Sequence, residues 1–431
     1  MEVPVTADVA RSQPPSDSQF RRGMVGITVT ALVLRLVITL VTRGFGGAAK
    51  TDGDGFYYSF FANTLASGHW FVHPFTGAPT ADHPPLTVLV LAPASWLFGS
   101  TFAQRVTMVL VGTATVAIIG VVGRRIGGNR VGLVAALIAL ANPNLWINDS
   151  LTMSESLAAL FVALLVWSGL ALADEPTLRR SLVTGMTLGF TLLARSELGW
   201  FIPLMVLPIL LGARAISWPT RARLAAVTLV CAGLVLTPWI AWNATRFAKP
   251  VWLSNNAGSA ISGANCDATY FGRGIGGWNL ECGTANDQPD ADGSENSSRG
   301  VSAGLSYVRH HLGRLPIVVL AREGRTFGFY QPQAEVDANV FEGRPRAASW
   351  AALIAFWLLL IPSAIGMRTI ARRRPRASTW PFFACIACSL LTAATFYGIP
   401  RFRISLDVAM CVLAAIPIAA WTDRRRRTVR T

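Results

Sequence analysis

The run Thr51-Asp-Gly-Asp-Gly-Phe-Tyr-Tyr58 places Asp52 and Asp54 between glycines, almost directly after the first long apolar segment of the chain. A carboxylate at the mouth of a dry groove can take a proton from a hydroxyl. Partial desolvation raises its pKa toward a useful value, and nearby cations oppose that rise. Such a pair at the end of a membrane helix has the character of a reaction centre at the membrane surface. The local alternative is a turn whose aspartate caps the helix beginning near Phe56. Far along the chain, Tyr397-Gly-Ile-Pro-Arg401-Phe-Arg403 supplies two guanidinium groups able to grip an anion bidentately. Arginines at a membrane edge also snorkel to headgroups. Glu155 opens another apolar segment beside Ser154, where it serves either the chemistry or the positive end of a helix.

The rest of the chain must hold these groups together, and it is mostly hydrophobic. Of its 431 residues 52% are hydrophobic and only 14% charged, with a mean hydropathy of +0.44. Soluble domains carry about 25% charged residues. The fold class is therefore an all-α polytopic membrane protein. The net charge of +15 does not point to nucleic acid. Its arginines fall in short runs between apolar segments (Arg21-Arg22, Arg124-Arg125, Arg179-Arg180, Arg372 to Arg376, Arg424 to Arg427). That is the footprint of cytoplasmic loops.

Hydropathy predicts spans at 24–43, 102–122, 131–147, 152–173, 181–195, 198–213, 224–243, 350–370, 378–397 and 404–421, about ten in all. The run Leu86 to Phe98 is too short for an ordinary span. If it crossed, the later basic loops would fall on the side opposite Arg21-Arg22, so it reads as a juxtamembrane helix. Residues 1–23 then form a disordered cytoplasmic tail, 24–243 a transmembrane core with a first outer loop at 44–101, 245–349 a large extracytoplasmic region, 350–421 the last helices, and 422–431 a basic cytoplasmic tail. Both termini are expected in the cytoplasm of a multi-pass plasma-membrane protein. With this parity, nearly every polar residue able to do chemistry lies on the outer side.

Within 245–349, a Gly-, Asn- and Ser-rich stretch precedes a helix expected from about Val301 to Phe327. Cys266 and Cys282 are the only cysteines in outer polar regions, so compartment favours a disulfide. Cys385 and Cys388 have redox-motif spacing but sit in an apolar helix, where packing is the simpler reading. Arg35, midway along the first span, must face a polar interior or a partner. Arg195 and Glu197 read as a structural ion pair, and His310-His311 as solvated surface.

Asp52-Gly-Asp54 with Tyr57, Leu65-Ala-Ser-Gly68 and Trp70 resembles the first outer loop of the GT-C superfamily, membrane glycosyltransferases that use polyprenyl-phosphate-linked sugars. The pattern is similar to lipid A aminoarabinose transferases and protein O-mannosyltransferases, in an actinobacterial branch. Asp82-His83-Pro84, Leu97-Phe-Gly99, Arg105, Glu155 and the Tyr397 to Arg403 element continue the resemblance in order. It implies a GT-C-type bundle with juxtamembrane helices that transfers a sugar from a polyprenyl-phosphate donor, with inversion, to an acceptor on the outer face. The implied catalytic groups are Asp54, Asp52 and Glu155. The implied substrate contacts are Tyr57, Tyr58, His83, Arg105, Tyr397, Arg401 and Arg403. Which of Asp52 and Asp54 is the base stays open, as do the sugar and the acceptor. No metal-ligand cluster stands out, although Asp52, Asp54 and Glu155 would suit a divalent ion if they converged. The competing class is a transporter or flippase of lipid-linked glycans. Such proteins show internal repeats and polar residues near the midplane, and neither is evident here.

The orientation has a direct test. A cysteine replacing Pro375 should react with an impermeant thiol reagent only after the membrane is permeabilised, and labelling from outside would overturn it.

Overall fold

The computed structural model describes residues 15–45, 53–73, 76–213, 215–373 and 376–428. It is built from helices; the one β pairing among these residues is an isolated bridge between Val72 and Pro79. In chain order the helices are α1 (Asp17–Arg43), α2 (Asp54–Ala66), α3 (Leu86–Phe98), α4 (Thr101–Ala141), α5 (Pro143–Trp146), α6 (Ser154–Asp174), α7 (Leu178–Ala194), α8 (Leu207–Leu211) and α9 (Trp218–Ala244). Then come α10 (Ala257–Ala264), α11 (Asp267–Tyr270), α12 (Leu280–Thr284), α13 (Gly293–His310), α14 (Leu315–Thr326), α15 (Pro332–Phe341), α16 (Arg346–Arg373), α17 (Arg376–Thr395) and α18 (Ile404–Thr428).

Among the described residues seven helices are long and apolar enough to cross a membrane, fewer than the ten expected. Part of the difference lies in α4, whose 41 residues include Gly128 at φ +82°. Only glycine adopts that conformation cheaply, and the chain turns back there. A Cβ at Gly123 would lie 2.8 Å from that of Ala135, and one at Gly120 3.1 Å from that of Ala136. The limbs on either side of Gly128 therefore pack antiparallel, as the separate runs 102–122 and 131–147 suggest. The α7 helix has 17 residues, and Ser196–Leu211 is a shorter apolar stretch that passes from 3₁₀ through π to α geometry.

Three expectations about boundaries change. The helix α1 begins at Asp17, capped by Ser16, whose hydroxyl accepts from the Gln19 amide while its own amide donates to the Gln19 side chain. The expected tail 1–23 is thus partly helical, and its first fourteen residues lie outside the described ones. At the other end helix continues to Thr428, into the expected tail 422–431. The single helix expected at 301–327 is two, α13 and α14, parted at His311 to Arg314 where Pro316 starts the second. By contrast α3 spans Leu86–Phe98, as the apolar run and the prolines before it indicate.

The main core joins α1, α4, α6, α7, α9, α17 and α18 through small and aliphatic side chains such as Ala135, Ala158, Val162 and Leu413. A second cluster lies beside it: Tyr58, Phe61 and Leu65 of α2 with Leu91 of α3, Met108, Leu157, Leu193 and Trp239. That cluster fixes α2 on the bundle. The region 245–349 has its own small core around Tyr270 and Val318, and Cys266 and Cys282 are joined there by a disulfide. Cys385, Cys388 and Cys411 are free and buried.

Arg35 is 2% exposed. It pairs with Asp149 and donates to the Leu145 carbonyl at 3.0 Å, while Asp149 accepts from Ser156 at 2.6 Å. Removing one partner of a buried pair leaves a charge uncompensated, at about 3–5 kcal/mol. Arg35→Leu should therefore lower the unfolding temperature in detergent strongly. Arg35→Leu/Asp149→Leu together should recover more than half of that loss, and additive losses would show that the pair is not coupled.

Candidate active site

Asp54 is the first residue of α2, and two local features put it there. Gly53 precedes it at φ +58°. Gly55 follows it with its Cα against the Leu151 carbonyl, where any side chain would clash. The start of α2 thus lies flat on the turn Asp149–Leu151, which leads into Glu155 at the head of α6. The glycines around the aspartate serve this close approach.

The Asp54 carboxylate accepts from Arg401 at 2.6 Å and stands 3.7 Å from His83 Nε2. Arg401 comes from the 3₁₀ turn Pro400–Arg403 that opens the last span. It also faces Glu342 at 3.3 Å and Glu155 at 3.9 Å, and its second nitrogen lies 3.5 Å from the Tyr397 hydroxyl. Glu155, 1% exposed, lies 2.7 Å from Arg195, which also pairs with Glu197. Glu342 pairs in turn with Arg344, whose Nε donates to Asn148 at 2.9 Å. Four stretches far apart in sequence meet on one guanidinium.

Beside this network is a cavity of about 410 Å³, lined by Asp54, Tyr58, His83, Arg195, Tyr397 and Arg401 and by residues near 250–260. Its size is that of an ordinary ligand site. Burial would raise the Asp54 carboxyl, but Arg401 and His83 outweigh it and hold the group well below the usual carboxylate range. Burial pushes the phenols of Tyr58 and Tyr397 up, so both stay hydroxyl donors.

The expected site residues divide. Asp54, Tyr58, His83, Tyr397 and Arg401 line one cavity, and Glu155 touches it through Arg195 and Arg401. Asp52 lies outside the described residues. Tyr57 packs its ring edge-on to His83 at 4.8 Å without lining the cavity. Arg403 turns the other way: it is 1% exposed, lies 3.4 Å from Asp407, donates to Asn144 at 2.9 Å and to the Thr326 carbonyl at 3.1 Å, and covers Phe356. Arg105 is buried in α4 away from the cavity lining. Two members were not expected. Arg195, read as half of a structural pair with Glu197, is shared with Glu155 and lines the cavity. Glu342, from the region 245–349, faces Arg401. Among the described residues no group of three or more His, Cys, Asp or Glu is placed to hold a metal ion; between Asp54 and Glu155 the guanidinium of Arg401 supplies the positive charge.

The bundle is that of a polytopic membrane protein, and it carries a charged network beside a cavity. A family model described as dolichyl-phosphate-mannose-protein mannosyltransferase matches residues 82–242. A polyprenol-phosphate-mannose–protein mannosyltransferase of Corynebacterium glutamicum is 25% identical over 173 residues, 37% of this chain and 32% of that protein. In three dimensions the chain is similar to the oligosaccharyltransferase of Archaeoglobus fulgidus, with a TM-score of 0.52 and 14% identity over 92% of this chain and 51% of that one. The same archaeal protein has been solved with an inhibitory peptide and a dolichol-phosphate, and that structure matches with a TM-score of 0.51 at 13% identity, covering 92% of this chain and 50% of that one. This chain therefore spans about half the length of the archaeal enzyme and about a third of the mannosyltransferase.

Arg401→Ala should destabilise the folded protein, because Asp54, Glu342 and Glu155 lose the cation they share, at a cost of about 3 kcal/mol. Arg401→Lys keeps the charge without the fork and should recover part, not all, of that loss. Equal losses in the two variants would show that the charge is not what holds the site.

Proposed function

We propose that this protein is a membrane glycosyltransferase that moves a sugar from a polyprenyl-phosphate carrier to a hydroxyl acceptor on the extracytoplasmic face, with inversion at the anomeric carbon. The observation that carries the reading is the Asp54–Arg401 contact in a ligand-sized cavity. It sets a proton acceptor beside the one side chain there best suited to a phosphate. The similarity to enzymes named for polyprenol- and dolichyl-phosphate-mannose supports the donor class.

The acceptor oxygen attacks the anomeric carbon, the bond from that carbon to the phosphate oxygen breaks, and the electron pair leaves on the phosphate. The hydroxyl proton passes to Asp54. Arg401 takes the charge that grows on the leaving phosphate, a role that electrostatic preorganisation favours. The hydroxyls of Tyr58 and Tyr397 are fixed donors in the same cavity. Arg195 keeps Glu155 charged and in place next to Arg401.

This geometry has a consequence for the base. A carboxylate paired with Arg401 is weakly basic and a poor proton acceptor. When the donor phosphate shares Arg401, that hold on Asp54 loosens and its pKa rises. Donor binding therefore prepares the base, and a water molecule arriving without donor meets an inactive carboxylate.

Two measurements test this. Asp54→Asn should lose transfer by at least about 100-fold, the usual contribution of a general base, while polyprenyl-phosphate binding persists; full activity would sink the assignment. In the parent, Asp54 is ionised in the free protein above about pH 4, the ordinary carboxylate value. The acid limb of kcat/KM, which reports the free enzyme, should accordingly lie below that. The acid limb of kcat, which reports the loaded enzyme, should lie at higher pH, and coincident limbs would rule out the loosening.

A further inference from the structure

The cavity beside Asp54 has two chemically different walls. One carries the ionised groups Asp54, Arg195, Glu197 and Arg401 with His83. The other comes from the start of the region 245–349 and from α13, with Trp252, Ser254, Asn256, Pro250 and Leu253 from the first and Ser297 from the second, all uncharged. We propose that this second wall is an acceptor subsite for a neutral saccharide, with Trp252 as the stacking platform and Asn256 as the amide that reads ring hydroxyls. The proposal rests on the glycosyl-transfer reading above and deepens it by naming the class of acceptor.

Trp252 is 68% exposed, and among the described residues its ring has no aromatic or cationic partner. Asn256 is also exposed, and its side-chain amide makes no hydrogen bond among those residues. The indole and the amide stand open at the cavity, and the backbone beneath them is fixed. The Leu253 carbonyl accepts from the Trp239 indole at 2.9 Å. The Asn255 amide donates to the Ala81 carbonyl at 2.9 Å, and the Ser254 hydroxyl donates to the Asp82 carbonyl at 2.7 Å. The Gly258 amide donates to the Ser297 hydroxyl at 3.1 Å. The free side chains thus stand on a rigid strip, which spares a ligand the cost of ordering them.

The same bonds tie the strip to the residues just before His83. Whatever sits on Trp252 is therefore held next to the His83–Asp54 edge of the cavity, where an acceptor hydroxyl must lie.

The chemistry of the wall selects the ligand. A sugar ring offers an apolar C–H face to an aromatic and a rim of hydroxyls to amides and hydroxyls. The wall has no cation for a phosphate or a carboxylate. A peptide would be expected to add to a free strand edge or fill an apolar groove. Pro250 to Asn256 belong to no strand, and Ser254, Asn256 and Ser297 give the wall polar groups beside its apolar ones.

The test uses the full chain in lipid nanodiscs, with tryptophan fluorescence and calorimetry as readouts. The probes are short neutral hexose and pentose oligosaccharides, Ser/Thr-containing peptides and polyprenyl phosphate. The parent should bind at least one of the oligosaccharides. Trp252→Ala should weaken that binding about tenfold, the scale of an aromatic stacking contact, Trp252→Phe should retain most of it, and Asn256→Ala should weaken it as well. Polyprenyl-phosphate affinity should stay at the parent value in all three, which also shows that they fold. No saccharide binding, saccharide binding indifferent to Trp252→Ala, or Trp252-dependent peptide binding would overturn the proposal. Failure of the parent to bind polyprenyl phosphate would instead remove the donor reading and leave the saccharide result standing.

Discussion

Arg401 is the interaction on which the site depends. A guanidinium removed from water must be matched by carboxylates, or the desolvation cost stays uncompensated. Here Asp54, Glu342 and Glu155 face it at 2.6, 3.3 and 3.9 Å. These groups come from α2, the loop after α15 and the head of α6, and Arg401 itself from the turn before α18. One side chain therefore sets the relative position of four segments. Arg's planar fork can serve several acceptors at once, which a lysine ammonium cannot do with the same geometry.

On the proposed reading the network is also arranged for exchange. More carboxylates than it needs surround Arg401, and Arg195 and Arg344 hold two of them, Glu155 and Glu342, from behind. An entering phosphate can then share Arg401 with Asp54 without leaving the other carboxylates unpaired. The cost of displacing one acceptor by another in a preorganised set is small beside that of building the set anew. The same arrangement explains why the free carboxylate is kept below the usual range. The resting state is stabilised by the contact that the proposed reaction must loosen.

Much of the bundle was legible because burial in a bilayer imposes a strong, local signal. The limits of α3 follow from an apolar run between Pro85 and Gly99, and the burial of Arg35 follows from the cost of a charge midway along a span. The cavity residues Asp54, Tyr58, His83, Tyr397 and Arg401 were legible as motif. The misplaced residues have physical reasons. Arg401 and Arg403 are two apart on a 3₁₀ turn, so they point to different sides, and the sequence cannot tell which faces the cavity. Arg195 and Glu197 are close enough in sequence to satisfy each other, which hides the third member, Glu155, 40 residues earlier. Glu342 lies in the polar outer region, where hydropathy carries no pattern and position depends on tertiary packing alone. The Gly128 reversal falls in a basic loop between two apolar runs, and it was legible as a loop though not as a continuous helix.

The region 245–349 meets the site at two ends by two different means, and this bears on what it is for. At one end, residues 253–258 are fastened by main-chain hydrogen bonds to the loop before His83 and to Trp239, contacts that no charge change disturbs. At the other, Glu342 is held by Arg344 and Arg401, contacts that an entering anion can alter. Between them, Glu335 on α15 is paired with Arg325 on α14 at 2.6 Å, and burial still pushes its carboxyl up to about 7. A region that merely covered the bundle would need only one kind of attachment. Here the neutral, hydrogen-bonded end is suited to holding a ligand in a fixed register, and the charged end to responding when a phosphate arrives. The division matches the proposed reaction, in which the acceptor carries no charge and the donor carries one.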